Sequence, residues 1–561
     1  MTTARRVRPA PGPSFAQHTA ARRARIGGAC GSAATAFVLG LQRCLGESAR
    51  LLPRDALVVD ADACTLDGRA LSTRDDWWNV ARTAPDSLAR VEGAFVLAWT
   101  REDGSVSLAR DAIGHRSLYY TLHGDTLVFA SSLRALLDTG AAARRIHLRS
   151  VAAYLAYAYV PGRHTLVEDV YELLPGELVT YRGGALERRA HWELPGEPAS
   201  FESEDVLRSR LRAELGRTVS ALLPGDAPVA ASLSGGIDSS LVVALAQRAS
   251  PRPVRTFSIT FGADYRDELP FSSLVAEHCG TEHSIVELTP ETVLAHLDDT
   301  VACLDKPNGD PLTVPNALLF RTMAESAEVA LNGEGGDPCF GGPKNAPMLL
   351  SSLYDEEAAE RAYLRAHQKA YDELPELLAS DVFATACATP LEDDLAPWFR
   401  DERWTGLVSR LMAINTRFKG GHHILPKVDA LAAPFGVLPR SPLFAKSVVE
   451  LAFAIPPELK LRGSEEKYLL KQAVAELLPR AILERPKSGM LVPVEGWFQG
   501  PLLPEARKRI LDGLARTRLF QRTYLEKLLN GKLGGLRPRR GVKIWLLITL
   551  EAHLRALGLG G

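Results

Sequence analysis

The 561-residue sequence is poor in cysteine, in net charge and in long apolar runs, and each shortage excludes something. Its seven cysteines are scattered, with no C-x-x-C pair and no short repeated spacing. That pattern argues against a disulfide framework and against zinc sites, and it fits a reducing cytosol. Lysine plus arginine number 66 against 67 aspartate plus glutamate, a formal charge of −1. Nothing in that balance favours nucleic acid or a membrane surface as the main partner. No apolar run reaches membrane-spanning length. The basic start "MTTARRVRPAPGPSF" is interrupted by Pro and Arg and runs into a weak Gly/Ala stretch. It reads as a frayed tail leading to a first strand rather than as an export signal, so the expected location is cytoplasmic.

What is present is an ordinary globular composition, 46% apolar and 24% charged, in a chain too long for one core. The runs "GAFVLAW", "SVSLARDA", "SLYYTL", "TLVFASS" and "PGELVTY" follow one another with polar or Gly-containing breaks. Such spacing predicts a meandering antiparallel sheet, with a helix at "LRSVAAYLAYAYV". "WELPGEPASFESE", residues 192–204, predicts a linker. Beyond it, apolar strands alternate with helices, which predicts a parallel α/β sheet. From about residue 350 the pattern is mostly helical. The fold class is therefore α/β, with domains at 1–195 and 205–561.

Three stretches carry chemistry. In "SLSGGIDSS" a strand meets Gly235 and Gly236 before a helix begins. A helix N-terminus presents unpaired N–H groups and favours anions, and glycine lets a phosphate approach the backbone. Asp238 would repel a bare phosphate, but it suits a Mg²⁺ placed between carboxylate and phosphate oxygens. The Walker pattern is absent, so this is not an ordinary P-loop. "LNGEGGD" follows another apolar run and puts Glu334 and Asp337 on a second Gly-rich turn. In a parallel sheet both turns fall at the carboxyl edge, where ligands bind. Asp337 then faces Asp238 as a second Mg²⁺ ligand, leaving Glu334 for proton transfer or substrate contact. In "ILERPKSGMLVP", Lys487 sits in a rigid turn, able to stabilise developing negative charge.

Together these stretches, with "TFSITFG" and the "DE" of Asp267 and Glu268, "KYLLKQAV" and the upstream "GAFVLAW" and "LARDAIGHRSLYY", resemble the asparagine synthetase superfamily over roughly residues 90–555. The resemblance implies an N-terminal Ntn-type antiparallel β-sandwich, here a degenerate glutaminase-like domain, and a C-terminal PP-loop synthetase domain. It implies ATP and Mg²⁺, and a substrate carboxylate converted to an acyl-adenylate that an amine then attacks. Carried over, Leu233, Ser234, Gly235, Gly236, Asp238, Ser239, Ser240, Ile259, Gly333, Lys467 and Lys487 would hold ATP. Asp238 and Asp337 would bind the metal, and Glu334 and Lys487 would be the catalytic pair.

The departures are as informative. A glutamine-hydrolysing member needs an N-terminal cysteine, and this chain begins Met1-Thr2-Thr3. Cys30-Gly31 would imitate it only after removal of a long leader. Lys306 stands where relatives often carry an acid, and Ala445 where they carry Asp, which points to an altered acceptor pocket. The adjacent histidines of "GGHHILPKVD" diverge, against a metal site.

The leading expectation is thus a ligase joining a carboxylate to a substrate amine without glutamine hydrolysis, as in β-lactam and lasso-peptide macrolactam synthetases of specialised metabolism. Its partners would be a small-molecule or peptide substrate and pathway proteins, with homodimerisation open. Two alternatives stand beside it: asparagine-like amide formation from free ammonia, and a non-catalytic nucleotide-binding scaffold.

Overall fold

A computed structural model describes residues 4–9, 26–45, 49–51, 56–262, 265, 268–342, 358–367, 369–485, 490–533 and 539–560. The β-rich runs of the first part form two sheets. One has the order Tyr171–Glu172, Tyr119–His123, Thr126–Ala130, Gly27–Cys30, Ala49–Leu51. The other has the order Ala185–Ala190, Glu177–Arg182, Val106–Arg110, Val91–Thr100, Leu57–Leu66, Arg69–Ala70. Strand Val91–Thr100 shows why they stack. Val96 and Ala98 point between the sheets to meet Leu108, Tyr120, Phe129 and Val179. Phe95, Leu97 and Trp99 point the other way, onto Trp77 and Val80 of helix Arg74–Arg82. A period of two with both faces apolar gives a strand buried on both sides. The result is an antiparallel sandwich flanked by helices.

The alternating region forms a six-stranded parallel sheet in the order Arg5–Val7, Glu282–Glu287, Arg255–Thr260, Val229–Ser232, Val329–Leu331, Leu438–Arg440. Central strand Val229–Ser232 has Arg255–Thr260 on one side and Val329–Leu331 on the other. The strand order therefore reverses around it, and a crevice opens at its carboxyl end. Pro439 is tolerated because its strand is the sheet's edge.

Several strands escape a reading of the sequence, among them the following three. Gly27–Cys30 is Gly-Gly-Ala-Cys, with no intrinsic strand preference, and is held by Thr126–Ala130 and Ala49–Leu51 on its two sides. Leu438–Arg440 has only three residues. Arg5–Val7 does not join the sandwich at all. It pairs in parallel with Ser284–Val286, and Arg8 forms an ion pair with Glu287 at 2.9 Å.

The helical remainder packs around fully buried Trp404, Trp497 and Trp545. One continuous apolar core runs from the sandwich helix Leu148–Tyr157 through the parallel sheet to helix Arg540–Ala556. Tyr154 of the first donates to the Leu546 carbonyl of the last at 2.9 Å. The 192–203 segment has no regular secondary structure and is pinned at its start: Trp192 donates to Glu450 at 2.9 Å and Trp404 donates to the Pro195 carbonyl at 3.1 Å.

Candidate active site at the carboxyl edge of the parallel sheet

Strand Val229–Ser232 ends in a turn that aims the first helical N–H groups of Ile237–Ala249 into the crevice. The turn is cross-braced by its own serines. Ser239 Oγ accepts from the Ser234 N–H at 3.1 Å, and Ser234 Oγ accepts from the Gly236 N–H at 3.4 Å. Gly235 has φ +73°, and a Cβ there would lie 2.6 Å from Phe271. Only glycine fits both that conformation and that contact. Leu233, Ser234, Gly236, Asp238 and Ser239 line the crevice. Ser240 does not: its side chain is fully buried on the packed face of the helix.

The second turn, from Asn332 to Asp337, lies against the first. A Cβ on Gly333 would sit 2.5 Å from the Ser239 nitrogen, and one on Gly336 would sit 2.1 Å from Asp238 Oδ1. The glycines of "NGEGGD" therefore let one acidic turn close onto another. Lys467 binds the two together. Its ammonium lies 2.5 Å from Asp238 Oδ2 and 2.5 Å from Asp337 Oδ1. It is delivered by a left-handed residue, φ +57°, at the start of helix Tyr468–Val474, and it is 2% exposed. Both carboxylates line the cavity. Divalent magnesium is bound in this way, by one or two carboxylates completed by substrate phosphates. Asp238 and Asp337 fit that role. Among the described residues no group of three or more acidic, His or Cys ligands makes a self-sufficient metal site.

The crevice encloses about 330 Å³. Phe257, Ser258 and Ile259 of the neighbouring strand form one wall with Met490. Glu268 stands at the rim, in an ion pair with Arg485, whose guanidinium lies 4.0 Å above Phe271 and donates to the Gly235 carbonyl at 3.2 Å. Glu334 faces the cavity beyond the acidic turn, its N–H donating to Asn332 Oδ1 at 3.1 Å. Burial pushes its carboxyl above the usual range, and Lys427 and Lys419 pull against that. Asp310 pairs with Lys427 at 2.8 Å. Burial favours the neutral form of Asp310, but the Lys427 ammonium more than reverses this and holds the carboxyl well below the usual carboxylate range.

Lys419 and His423 reach the crevice from a π-helical segment, Asn415–Ile424. π-Turns are rare and concentrate at functional sites. The wider coil separates the two adjacent histidines. His423 lines the crevice and stacks on Tyr159 at 4.7 Å, while His422 points to Glu172 at 3.7 Å.

The structure thus gathers Leu233, Ser234, Gly236, Asp238, Ser239, Ile259, Gly333, Glu334 and Asp337 around one cavity, with Gly235 and Lys467 immediately behind it. Asp267 and Lys487 lie outside the described residues. The altered-acceptor reading of Lys306 and Ala445 needs correction, because neither lines the crevice. Lys306 is buried in the seam between the sandwich and the rest, 2.8 Å from Glu172. Ala445 borders a separate cavity of about 110 Å³ beside Glu92 and Arg440. Sequence reasoning missed Asp310, Lys419, His423 and Lys427 as crevice residues. The spacing 419, 423, 427, one residue per helical turn, was the available signal.

Comparison with known proteins gives the family of the chain. The asparagine synthase family model matches residues 210–555, and a glutamine amidotransferase domain model matches residues 79–192. A Bacillus subtilis protein named asparagine synthetase (glutamine-hydrolyzing) 1 is 25% identical over 82% of this chain and 77% of its own. A Mycobacterium tuberculosis protein named putative asparagine synthetase (glutamine-hydrolyzing) is 27% identical over 78% and 72%. Among solved structures, an NH3-dependent NAD synthetase from Campylobacter jejuni is matched over 39% of this chain and 94% of its own, at 14% identity and a TM-score of 0.19. The chain belongs to the asparagine synthase family and is an ATP-dependent amide-forming ligase.

Proposed function

We propose that this ligase activates a substrate carboxylate as an acyl-adenylate and joins it to a substrate amine, without hydrolysing glutamine, in the making of a specialised metabolite or peptide. One observation carries the reading: two Gly-rich turns bring Asp238 and Asp337 onto a single Lys467 at the edge of a cavity that also holds Glu334.

In this reading the Ser234–Ser239 turn receives the pyrophosphate end of ATP with its N–H groups and hydroxyls. Asp238 and Asp337 would hold Mg²⁺, which neutralises phosphate charge when bound. Lys467 bridges the carboxylates and presents positive charge to the same oxygens. A carboxylate oxygen of the acid bonds to the α-phosphorus as the bond to the β-phosphate oxygen breaks, and pyrophosphate leaves. The amine nitrogen then bonds to the acyl carbon, the bond to the AMP oxygen breaks, and Glu334 takes the nitrogen's proton. A carboxyl raised by burial is a better base than an ordinary one. Lys487 would stabilise the oxyanion of this step.

The nature of the amine rests on Cys30. It ends strand Gly27–Cys30, opposite Leu127, and burial pushes its thiol above the ordinary value. An activated thiolate needs the opposite shift, and freeing the Cys30 amine would delete the three preceding strand residues. Free ammonia as the nucleophile is the second reading, favoured by the family match itself.

Acid-dependent ATP–pyrophosphate exchange across a panel of acids, followed by pairing positive acids with amines and ammonia, tests the reading. Exchange that survives Asp238→Ala, or glutamate released from added glutamine, would overturn it.

A further inference from the structure

The crevice is rich in carboxylates. Asp238, Glu268, Asp310, Glu334 and Asp337 all line it. An acid to be activated must enter this field as an anion, so it needs a cation not already engaged. Lys467 is held by Asp238 and Asp337, Lys427 by Asp310, and Arg485 by Glu268. Lys419 differs. It lines the same cavity, half-buried, and among the described residues it has neither a hydrogen bond nor an ion pair.

Its position is imposed by the π-helical segment, which with the following helix Leu425–Ala432 brings Lys419, His423 and Lys427 to the cavity. His423 is covered on one face by Tyr159, and Lys427 is tied down, so the row has one open end. Lys419 also belongs to the Glu334 side of the cavity, since its charge acts on the Glu334 carboxyl.

We propose that Lys419 is the specificity-determining residue that receives the carboxylate of the acid to be activated, a step that rests on the ligase reading above. The ammonium offsets the repulsion of the surrounding acids and presents the carboxylate beside the residue that later deprotonates the amine. The ligand class is an organic acid whose carboxylate is a free anion when it enters.

The test uses the full chain with L-aspartate, L-glutamate and N-acyl amino acids as probes in ATP–pyrophosphate exchange. Lys419→Met is expected to raise KM for the active acid on the order of 10- to 100-fold, the worth of a charge-assisted hydrogen bond. KM for MgATP should stay within about twofold, and Lys419→Arg should recover most of the loss. A Lys419→Met enzyme with unchanged acid KM, or with the loss falling on MgATP instead, overturns the inference alone. A wild-type enzyme that binds MgATP yet exchanges with none of the acids overturns the ligase reading and the inference with it.

Discussion

Two regions of this molecule bury charge, and they do so in opposite ways. In the crevice, Asp238 and Asp337 share one ammonium beside about 330 Å³ of open volume. In the seam between sandwich and synthetase, Glu172 alone faces Arg110 at 3.0 Å, Lys306 at 2.8 Å and His422 at 3.7 Å. There the cavity shrinks to about 50 Å³. The seam carboxylate is over-supplied with cations, which hold it far below the usual carboxylate range although burial pushes the other way. Charge gathered beside open space is placed to meet a ligand, whereas charge compensated from all sides without space ties two bodies together. The two cavities meet only at His423 and Lys427, which line both.

That contrast can be broken experimentally, most forcefully at the crevice. Asp238→Ala or Asp337→Ala should lower amide formation by more than about 10³-fold with little change in unfolding midpoint, because the removed charge serves the ligand. Steady-state turnover and thermal melts on the same preparations check both halves. Glu172→Gln should do the reverse. Leaving Arg110 and Lys306 buried without their carboxylate costs about 3–5 kcal/mol, read as an earlier first transition in urea. The double variant Glu172→Gln/Lys306→Met should recover part of that loss.

Glu334→Gln is expected to cost about 10²-fold in turnover and to remove the acid limb of the pH profile. The sign follows from burial: a base with a raised carboxyl loses activity as pH falls through a value above the ordinary ~4.3. A limb that persists in Glu334→Gln would assign the proton to another group.

The smallest effect belongs to His422, whose ring burial pushes down to about 4. The unfolded chain binds this proton near 6.5, so stability is complete above that pH and declines as pH falls from about 6.5 to 4. Replacing His422 with Asn should flatten this part of the stability–pH curve, read from thermal melts across pH 4–7. His164, His191 and His283 are also held near 4 and His553 near 3, and they add to the same slope.

Much of the crevice was legible because its parts are local. "SLSGGIDSS" and "LNGEGGD" each contain the strand end, the glycines and the charged residue they need, and alternation of strands with helices sends both to one edge. Asp310, Lys419, His423 and Lys427 were not legible, since their roles depend on a π-helical segment with its following helix and on Asp310, 117 residues before Lys427, meeting them. Ser240 shows the converse error. A serine inside a phosphate-binding motif reads as a ligand, yet its place on the helix turns it into the core.

The sequence by itself determined the two turn chemistries and the order of β-sandwich, parallel sheet and helical tail. These follow from residue spacing and backbone preference within a few consecutive residues. Only the tertiary structure decided that Lys467 clamps two acids across two turns, that Lys306 belongs to a seam rather than to a pocket, and that Lys419, alone among the described residues, keeps a cation open to the cavity. Each depends on which distant charge a side chain meets. Compensation between charges falls off over a few ångströms, and the chain sets such distances only once it has folded.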